Sequence, residues 1–430
     1  MAKITIIGAG SLVFTRNIVG DILSFPDLAE STICLMDIHK GRLDLITQYI
    51  NKLVGLMGVS AKIETTTDRK KALKGADYVL VTIQAGGLEM FEKDIEIPLK
   101  YGINQEVGDT LGPGGVFRGM RSLVVMQDIL KDMEKFCPEA YLINYSNPMA
   151  INCWGMYESS KKIKIIGLCH SVQGTAEQLS KYIGVPFEEV NYWAAGINHM
   201  SFYLKFERNK KDLYPLLFEA MKRKEVFNDN KVRFEMMKHI GHFITESSFH
   251  LSEYLPYFRT RKKIFDKLCK PRWIYLNECK ENVGNAYRLI KNQLSGKEEI
   301  RIRRSNEYAS LIINSLETGI QSRINGNVKN TNLITNLPYG CCVEVPCFID
   351  KSGIHPAFVG ELPPQCAALN RTNINVQELA VKAVLNRSKT QAFQAVMMDP
   401  LTSALLSPAE IKKMVEELFK AEKKYLPDFC

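Results

Sequence analysis

The sequence lacks the features that mark membrane, secreted and disordered proteins. Among its 430 residues, no window approaches the roughly 18 uninterrupted apolar residues that a membrane-spanning helix requires. Its first residues, MAKITIIGAGS, show neither the apolar core nor the small-residue cleavage site of a signal peptide. Hydrophobic residues make up 46% and charged residues 24%, which excludes a disordered or low-complexity chain. We therefore expect a globular, cytoplasmic protein with a large core and two or three structural units.

Cysteine is present, but its arrangement does not favour a zinc ribbon. The eleven cysteines are an odd number and include no matched pair of CxxC motifs. Several lie in apolar, strand-like runs, such as Cys34 in STICLMDI and Cys342 in CCVEVPCFI. Since no signal peptide is recognised, this pattern predicts reduced, mostly buried thiols in a cytoplasm.

The net charge of +9 comes without the features of a nucleic-acid binder. The basic clusters at 69–71, 259–263 and 301–304 are short and scattered, and acidic residues separate them. No motif of a known nucleic-acid module accompanies them. We interpret the charge as a surface bias and expect neither a nucleic-acid partner nor a membrane partner.

The first third of the chain alternates short apolar runs with stretches of helical spacing. Helices are predicted at 42–56 and 121–136, between the predicted strands. These strands are residues 4–7, 33–37, 78–83, 141–144 and 163–168. Continuous apolar strands separated by helices are typical of a parallel sheet covered on both faces. The pattern predicts an α/β fold with a Rossmann-type doubly wound parallel sheet.

Near Val190 the pattern changes, and alternating strand-like segments replace the continuous apolar runs. The expected elements are strands at 192–195 and 201–206, then long helices, a strand pair at 341–350 and a helical tail at 376–424. We place a boundary at residue 195. It separates a nucleotide-binding domain, residues 1–195, from an α+β substrate and oligomerisation domain, residues 196–430.

A glycine turn after the first strand predicts a dinucleotide site. Gly8, Gly10 and Ser11 lie between that strand and a helix, where glycines let the backbone approach a pyrophosphate at the helix N-terminus. The third glycine of the full fingerprint is absent, since Val13 stands in its place. Asp37 ends the second strand, where a carboxylate can bind a ribose 2′-hydroxyl and repel a 2′-phosphate. The turn thus favours NAD over NADP, although such an aspartate can also simply cap a turn.

Two further segments carry polar side chains where ligands bind in a doubly wound sheet. Residues 106–115 form a glycine-dense loop around Asp109, and such a loop lets backbone approach a ligand. Asn147 lies in NYSNP, directly after a predicted strand. Residues at the carboxyl ends of these strands line the ligand crevice.

Cys169 and His199 together indicate a candidate metal site. Singly, each is more typical of a buried thiol or a hydrogen-bonded core histidine. Together they place one thiolate and one imidazole near the end of a nucleotide-binding sheet. Two protein ligands are too few for a structural site, so substrate and water would complete the coordination. His170 and Asn198 lie next to the pair in GLCHSVQ and GINHM.

Eight segments, in order over nearly the whole chain, carry a family resemblance. They are KITIIGAGSLVFTRNIVGD, DTLGPGGVFRGMRS, INYSNPMAIN, GLCHSVQGTAEQL, AGINHMSFYL, FITESSFHLSEYLPYF, NLPYGCCVEVPC and AALNRTNINVQ. Together they resemble glycoside hydrolase family 4, and within it the α-galactosidase branch. The resemblance implies a fold related to lactate and malate dehydrogenases. This NAD-dependent family is an exception to glycoside hydrolysis by two carboxylates.

The resemblance implies a redox route to hydrolysis that uses NAD and Mn²⁺. NAD⁺ takes hydride from C3 of the sugar, and the resulting ketone acidifies the C2 proton for removal by a base. The divalent metal polarises the C2 and C3 oxygens. The aglycone leaves by elimination, water adds and the hydride returns, so no NAD is consumed.

Residue by residue, the resemblance implies that Cys169 and His199 are the metal ligands. It implies that Asn147 and Asn198 hold sugar hydroxyls. Because thiolate is a soft partner for Mn²⁺, we expect modest metal affinity and a site sensitive to oxidation.

Three acid and base roles are also implied by the resemblance. Tyr254 aligns with the base that removes the C2 proton, and Tyr257, three residues on, is the alternative. Asp109 lies where the family has an acid close to the C3 hydroxyl or the metal. His170 stands where phospho-α-glucosidase relatives carry the leaving-group acid, and it could equally bind the sugar.

One departure from the family bears on the substrate. Relatives that act on 6-phosphosugars carry an arginine after the GGLE-type turn, because phosphate favours such a bidentate partner, whereas this chain has Met90. The resemblance therefore favours an α-galactoside, with an α-galacturonide or α-glucoside as alternatives. A 2-hydroxy-acid dehydrogenase is a distant alternative, since such enzymes present a catalytic His-Gly pair and the chain has none. Family likeness also favours a homodimer or homotetramer.

Overall fold

The structure, a computed structural model, describes residues 1–269, 275–426 and 428–430. Twelve strands within these ranges join into one sheet. The strands are β1 Lys3–Ile7, β2 Thr32–Met36, β3 Lys62–Thr66, β4 Tyr78–Val81, β5 Tyr141–Asn144, β6 Lys164–Leu168, β7 Asn191–Ile197, β8 Met200–Arg208, β9 Lys211–Asp212, β10 Ser322–Lys329, β11 Cys342–Asp350 and β12 Gly353–Pro356. The helices in the same ranges are α1 Leu12–Leu23, α2 Lys40–Met57, α3 Arg69–Leu73, α4 Gly87–Lys100, α5 Gly112–Phe136, α6 Met149–Ser159, α7 Ser171–Ile183, α8 Tyr214–Ala220, α9 Lys224–Asp229, α10 Lys231–Ile240, α11 Ser248–Tyr254, α12 Lys262–Leu268, α13 Tyr275–Leu294, α14 Ala309–Thr318, α15 Pro364–Leu385, α16 Lys389–Met397, α17 Pro400–Leu405 and α18 Pro408–Ala421.

Six parallel strands form the first half of the sheet, in the order β3-β2-β1-β4-β5-β6. This is the strand order of a dinucleotide-binding doubly wound sheet. Helices α1 and α2 pack together, and α3, α5 and α6 form a second group, as right-handed crossovers require on the two sides of the strand-order reversal. The predicted α/β doubly wound fold is confirmed.

The sequence pattern does not reveal β3, although it predicts the other five parallel strands. The segment KIETT is partly exposed along its length because it lies at the edge of the sheet. An edge strand packs against fewer neighbours than a central strand, so it needs no continuous apolar run.

Antiparallel strands continue the same sheet beyond β6, in the order β10-β11-β7-β8-β9, with β12 paired to β11. The strands expected at 192–195 and 201–206 are present as β7 and β8, whereas the pair expected at 341–350 is the single strand β11, whose hairpin partner β12 follows at Gly353–Pro356. The proposed domain boundary at residue 195 lies within β7 and stays a prediction.

Strand β10 joins the parallel and antiparallel halves of the sheet, and its composition is not typical of a strand. Its centre is Asn325-Gly326-Asn327, which does not read as an apolar strand although all three residues are buried. A Cβ at Gly326 would lie 2.7 Å from Cδ1 of Ile166, so glycine is needed for the close approach to β6. Asn327 donates a hydrogen bond to the Gly167 carbonyl, which explains how an amide is accommodated there.

The glycine-dense segment predicted as a loop is partly helical, because α5 begins at Gly112 rather than near residue 121. A Cβ at Gly114 would lie 2.2 Å from the Asp94 carbonyl oxygen, and one at Gly115 would lie 2.6 Å from the Thr110 carbonyl carbon. These glycines therefore let the first turn of α5 pack directly against neighbouring backbone. Their function in packing corrects the interpretation of the whole segment as a ligand-binding loop.

The cysteines are all free thiols, and eight of them are buried, as expected for packing residues. Cys430 is exposed, which contradicts that expectation for the last cysteine, and Cys169 and Cys279 are partly buried. Among the described residues, no helix combines the length and apolarity needed to cross a membrane.

Candidate active site and metal centre

Side chains from three places in the sheet meet at the crevice beyond the carboxyl ends of the parallel strands. Asn147 follows β5 and Cys169 follows β6, while His199 lies in the two-residue connection between β7 and β8. The carboxyl ends of adjacent parallel strands are where doubly wound sheets bind ligands. The sequence-predicted residues therefore converge because β10 and β11 carry the sheet from β6 across to β7.

Three potential metal donors are grouped in this crevice. Sγ of Cys169 lies 3.4 Å from Nε2 of His199, which in turn lies 3.6 Å from Oε2 of Glu246. All three donor atoms fall within 4.8 Å of one another. A thiolate, an imidazole and a carboxylate together fit a divalent transition metal with open positions for further ligands. Sequence reasoning missed Glu246, whose only signal was its place in the segment FITESSFH.

The hydrogen bonds of His199 leave the correct nitrogen available for a metal. Its Nδ1 lies 3.3 Å from both Oγ1 of Thr110 and the hydroxyl of Tyr254. The Thr110 hydroxyl donates to Oδ1 of Asp109 at 2.8 Å, so its oxygen is free to accept from Nδ1–H. Nε2 then keeps its lone pair toward Cys169 and Glu246, as a metal-binding imidazole requires.

Two of the donors have unusual backbone conformations. His199 has a φ of +62° and Glu246 has a φ of +74°, which lie in the left-handed region that residues other than glycine rarely adopt. Such conformations cost on the order of 1–3 kcal/mol and cluster at functional sites. The surrounding fold therefore holds both side chains at some energetic cost in positions directed to a common point.

The charges of the donor set favour a bound cation. Burial, together with the carboxylates of Glu246 and Glu344, raises the pKa of the Cys169 thiol. Burial is the largest single influence and disfavours the Glu246 carboxylate, but the charges of His250, His199, His170 and Arg233 together outweigh it and lower the pKa of Glu246 to about 2. A divalent cation between them would reverse the penalty on the thiolate, because an opposite charge favours the ionised form.

Tyr254 lies beside the metal donors, whereas Tyr257 does not contact them. Tyr254 is 2% exposed with its hydroxyl 3.3 Å from His199, while Tyr257 is 50% exposed. The geometry therefore favours Tyr254 of the two tyrosines considered from the sequence. Burial and the nearby Asp109 carboxylate raise the pKa of Tyr254, so a cation is also needed to favour its phenolate.

Asp109 links two further polar residues at the floor of the crevice. Nδ2 of Asn147 donates to Oδ2 of Asp109 at 3.3 Å, and Nε2 of His250 lies 3.8 Å from Oδ1 of Asp109. Nδ1 of His250 is also 3.6 Å from Oε1 of Glu246. His250 thus connects the Asp109 side of the site to the metal donors, a role that the sequence did not indicate.

Asn198 is buried at 3% exposure with its amide unsatisfied. Neither polar atom makes a hydrogen bond of normal geometry with the residues that the structure describes, although Asn198 is close enough to the Glu344 carboxyl to lower its pKa. The amide lies near the Glu344 carboxyl, which also accepts a hydrogen bond of 2.7 Å from the Ser201 hydroxyl. An unsatisfied buried amide is costly, so this side chain is suited to a ligand hydroxyl.

Glu344 provides a prediction about stability. Burial raises its pKa to about 7 from an ordinary value of 4.5, despite the hydrogen bond from Ser201. Between these values the folded protein binds a proton that the unfolded chain has released, so stability falls as pH rises. We expect the metal-free wild-type protein to lose about 3 kcal/mol more unfolding free energy than Glu344→Gln between pH 4.5 and 7. Urea titrations across this range measure the difference, and parallel profiles would contradict the prediction.

His170 lies at the mouth of the crevice rather than among the buried donors. It precedes α7, its side chain is 63% exposed, and its Nδ1 is 4.0 Å from Oε1 of Glu307. Its charge also contributes to lowering the pKa of Glu246, so it remains close to the metal donors. An exposed imidazole here could meet a leaving group or a sugar hydroxyl.

The glycine turn has the features of a dinucleotide cradle. A Cβ at Gly8, which has φ of +90°, would lie 2.7 Å from the Thr82 carbonyl oxygen. The Asp37 carboxylate accepts from the Gly10 N–H at 2.7 Å, yet retains acceptor sites for ribose hydroxyls. Ser11 precedes α1 without a capping bond from its side chain, so the first amides of the helix can face a pyrophosphate.

The glycine turn at Gly8 and the turn that carries Asn147 are connected by hydrogen bonds. The Thr82 hydroxyl donates to the Gly8 carbonyl at 3.0 Å, and the next amide, of Ile83, donates to the Ser146 hydroxyl at 2.9 Å. Ser146 immediately precedes Asn147. A dinucleotide on the turn and a sugar near Asn147 would therefore occupy adjacent parts of one crevice.

Comparison with known families places this site in context. The Family 4 glycosyl hydrolase model matches residues 3–185, and the Family 4 glycosyl hydrolase C-terminal domain model matches residues 194–402. The chain belongs to glycosyl hydrolase family 4. It is therefore a glycosidase, and the family predicted from the sequence is confirmed.

Three relatives in family 4 align over nearly their whole length. An alpha-galactosidase of Bacillus subtilis (strain 168) is 41% identical over 433 residues and covers 100% of both chains. An alpha-galactosidase of Rhizobium meliloti (strain 1021) is 38% identical, covering 100% of this chain and 90% of the relative. An alpha-galacturonidase of Lachnoclostridium phytofermentans is 29% identical and covers 99% of this chain and 97% of its own.

Solved structures share the fold of this family 4 chain. A 6-phospho-alpha-glucosidase from gut microorganisms, in complex with NAD and Mn²⁺, superimposes with a TM-score of 0.86 over 100% of both chains at 21% identity. Malate dehydrogenase from Plasmodium falciparum gives a TM-score of 0.55 at 15% identity, covering 92% of this chain and 100% of its own. The likeness to the dehydrogenase confirms the fold relationship that the sequence implied.

Proposed function

We propose that this family 4 glycosidase hydrolyses α-galactosides with the help of NAD⁺ and Mn²⁺. The observation that carries the proposal is the grouping of Cys169, His199 and Glu246 within 4.8 Å of one another, beside Tyr254. Hydrolysis by two carboxylates alone would need neither this donor set nor a dinucleotide cradle. The α-galactosidases at 41% and 38% identity support the choice of glycone.

Cys169, His199 and Glu246 would hold the metal, and the turn at Gly8 and Gly10 would hold the dinucleotide. Bound together, the two cofactors supply reversible oxidation at C3 and polarisation of the C2 and C3 oxygens. The hard carboxylate of Glu246 complements the soft thiolate of Cys169, which suits Mn²⁺ better than a thiolate and an imidazole alone. Asn147 and the unsatisfied amide of Asn198 would orient the sugar hydroxyls.

Proton transfers fall to two side chains on different sides of the donor set. Tyr254 removes the C2 proton, because its buried hydroxyl lies next to the metal-binding histidine. Asp109 orients this region through Thr110, whose oxygen lies 3.3 Å from Nδ1 of His199. His170, at the open mouth, protonates the departing aglycone, with Glu307 orienting its imidazole from 4.0 Å.

An acidic glycone is the second candidate, and one observation favours it. The guanidinium of Arg118 is largely buried beside the turn that carries Asn147, with Nε 3.5 Å from the Asn147 carbonyl oxygen. Its Nη1 has no hydrogen-bond partner in the part of the chain that the structure describes. A buried cation without a full set of partners favours a carboxylate on the ligand, as in an α-galacturonide.

A substrate panel with matched cofactor conditions tests the proposal. Nitrophenyl α-galactoside, α-glucoside and α-galacturonide are compared with NAD⁺, Mn²⁺ and a reductant, and with each cofactor omitted. We expect the highest kcat/KM for the α-galactoside and dependence on both cofactors. Reaction in D₂O should also place deuterium at C2 of the released sugar.

Two outcomes would contradict the proposal at different levels. Full activity after complete removal of NAD would exclude the redox route. A higher kcat/KM for the α-galacturonide would leave the route intact and assign the glycone to the second candidate. In that case Arg118→Met should reduce the preference for the uronide, because it removes the buried cation.

A further inference from the structure

The carboxylate of Glu253 lies in a ring of backbone amides next to the candidate active site. Its Oε1 accepts from the N–H groups of Glu106 at 2.6 Å and Val107 at 2.9 Å. Its Oε2 accepts from the Gly108 N–H at 3.0 Å and from Nε2 of Gln105 at 3.4 Å. Glu253 is only 1% exposed, so these contacts replace water almost completely.

The local chain conformation is built around this carboxylate. Three consecutive amides can converge on one anion because Gly108 adopts φ of +55°. A Cβ at this position would also lie 2.5 Å from Cδ1 of Ile95, so the Ile95 side chain would have to shift to admit any other residue. The glycine-dense loop, read from the sequence as a ligand-binding element, thus binds a side chain of the protein itself.

A buried arginine completes the arrangement. Nη2 of Arg259 lies 2.9 Å from Oε2 of Glu106 and 3.7 Å from Oε1 of Glu253. Its Nε donates to the Ser252 hydroxyl at 2.8 Å, and its Nη1 donates to the Asn104 carbonyl at 2.8 Å. Arg259 is thus shared between the two buried carboxylates, and the amide donors supply most of the close contacts that stabilise the charge of Glu253.

We propose that Glu253 is a positioning residue that fixes Asp109 and Thr110 relative to Tyr254. We call the contacts between the Glu253 carboxylate and the amides of residues 106–108 the clamp. The last of these amides belongs to Gly108, which precedes Asp109 in the chain, and Glu253 itself precedes Tyr254. One carboxylate therefore sets the separation between the loop that carries Asp109 and Thr110 and the end of α11 that carries Tyr254. The assignment of Tyr254 as the C2 base rests on the proposed function, whereas the clamp itself rests only on the contacts of Glu253.

The consequence of this geometry is a specific kinetic effect. Thr110 and Tyr254 both approach Nδ1 of His199, so a shift of the loop against α11 moves the base relative to the metal donors. A displacement of about 1 Å in a catalytic group can cost roughly 10²-fold in rate. Loss of the clamp should therefore slow C2 proton removal more than it weakens sugar binding.

Amide hydrogen exchange tests the clamp without any assumption about activity. Glu253→Gln keeps the size of the side chain but places an NH₂ group where the carboxylate accepts N–H donors. We expect exchange in peptides spanning 105–110 to accelerate by about tenfold or more, while distant peptides keep their protection. The control is Asp132→Asn, which cuts the partly buried pair with Arg69 far along α5. Unchanged exchange at 105–110 in a folded Glu253→Gln protein would overturn the proposal.

Kinetics with C2-deuterated substrate then separate positioning from general stability. We expect Glu253→Gln to lower kcat by about 10²-fold, with KM within about threefold and a larger isotope effect on kcat. A merely structural role would lower the amount of active enzyme and leave the isotope effect at the wild-type value, which would overturn the proposal. If Glu253→Gln fails to fold, Glu253→Asp, one methylene shorter, should show the same lower kcat and the same larger isotope effect. A wild-type enzyme without C2 exchange would instead refute the proposed function, and amide exchange would still decide the clamp.

Discussion

Replacing Tyr254 with phenylalanine is expected to lower kcat by about 10²–10⁴-fold, the usual range for loss of a general base. The substitution removes a hydroxyl that lies 3.3 Å from Nδ1 of His199 and keeps the buried ring that packs around it. Because the proposed role of the hydroxyl is to remove the C2 proton, KM should change by only a few-fold. The loss should therefore appear in the chemical step rather than in substrate binding.

The measurement is kcat together with deuterium incorporation at C2 in D₂O, both of which should fall in Tyr254→Phe. Tyr257→Phe is a matched control, because it removes the same group three residues away at a position that is 50% exposed. The control should retain wild-type activity and wild-type incorporation. If Tyr257→Phe lost activity while Tyr254→Phe kept it, the two assignments would have to be exchanged.

The environment of Tyr254 also explains why its proposed action as a base should depend on a bound metal ion. Burial and the Asp109 carboxylate raise the pKa of this tyrosine, so without a cation its phenol holds the proton too tightly for a base. A cation at Cys169, His199 and Glu246 would act in the opposite direction on both the phenol and the thiol. We therefore expect Tyr254 and the three candidate metal donors to depend on each other electrostatically, so that neither works alone.

The sequence predicts those parts of the site that depend on local chain geometry. A glycine turn after the first strand and an acid at the end of the second imply the cradle at Gly8, Gly10 and Asp37, because doubly wound sheets bind dinucleotides at the carboxyl ends of these strands. Cys169 is predictable for the same reason, since it directly follows a continuous apolar strand. These residues are identified by their place at the ends of elements that the sequence reveals.

Glu246 and His250 could not be predicted in this way, because their position depends on contacts between distant segments. Both belong to the segment around α11, which is attached to β8 by the isolated bridge from Phe202 to Ile244 and to the loop at 106–108 by the contacts of Glu253. Strand β10, hidden by its buried asparagines, is what brings β6 and β11 together. Contacts between distant segments leave no periodic pattern in the sequence. Glu246 can therefore be recognised as a candidate metal donor only from the folded structure.

Loss of the Cys169 thiol is expected to weaken metal binding strongly. Cys169→Ser should weaken Mn²⁺ binding by more than about 100-fold, since loss of a group that merely supports a ligand already costs about 10–100-fold. Titration of Mn²⁺ followed by electron paramagnetic resonance of the free ion measures this independently of activity. Cys137→Ser, at a buried cysteine that ends α5, is the control and should leave Mn²⁺ affinity unchanged.

Glu246→Gln should affect the same site in a different way, because it removes a hard ligand and retains the soft one. We expect weaker Mn²⁺ binding, with a smaller loss for metals that prefer thiolate and imidazole, such as Zn²⁺. A uniform loss for both metals would mean that Glu246 acts through charge alone rather than as a ligand. Unchanged affinity for both would show that Glu246 serves His250, 3.6 Å away, and that Cys169 and His199 hold the metal as a pair.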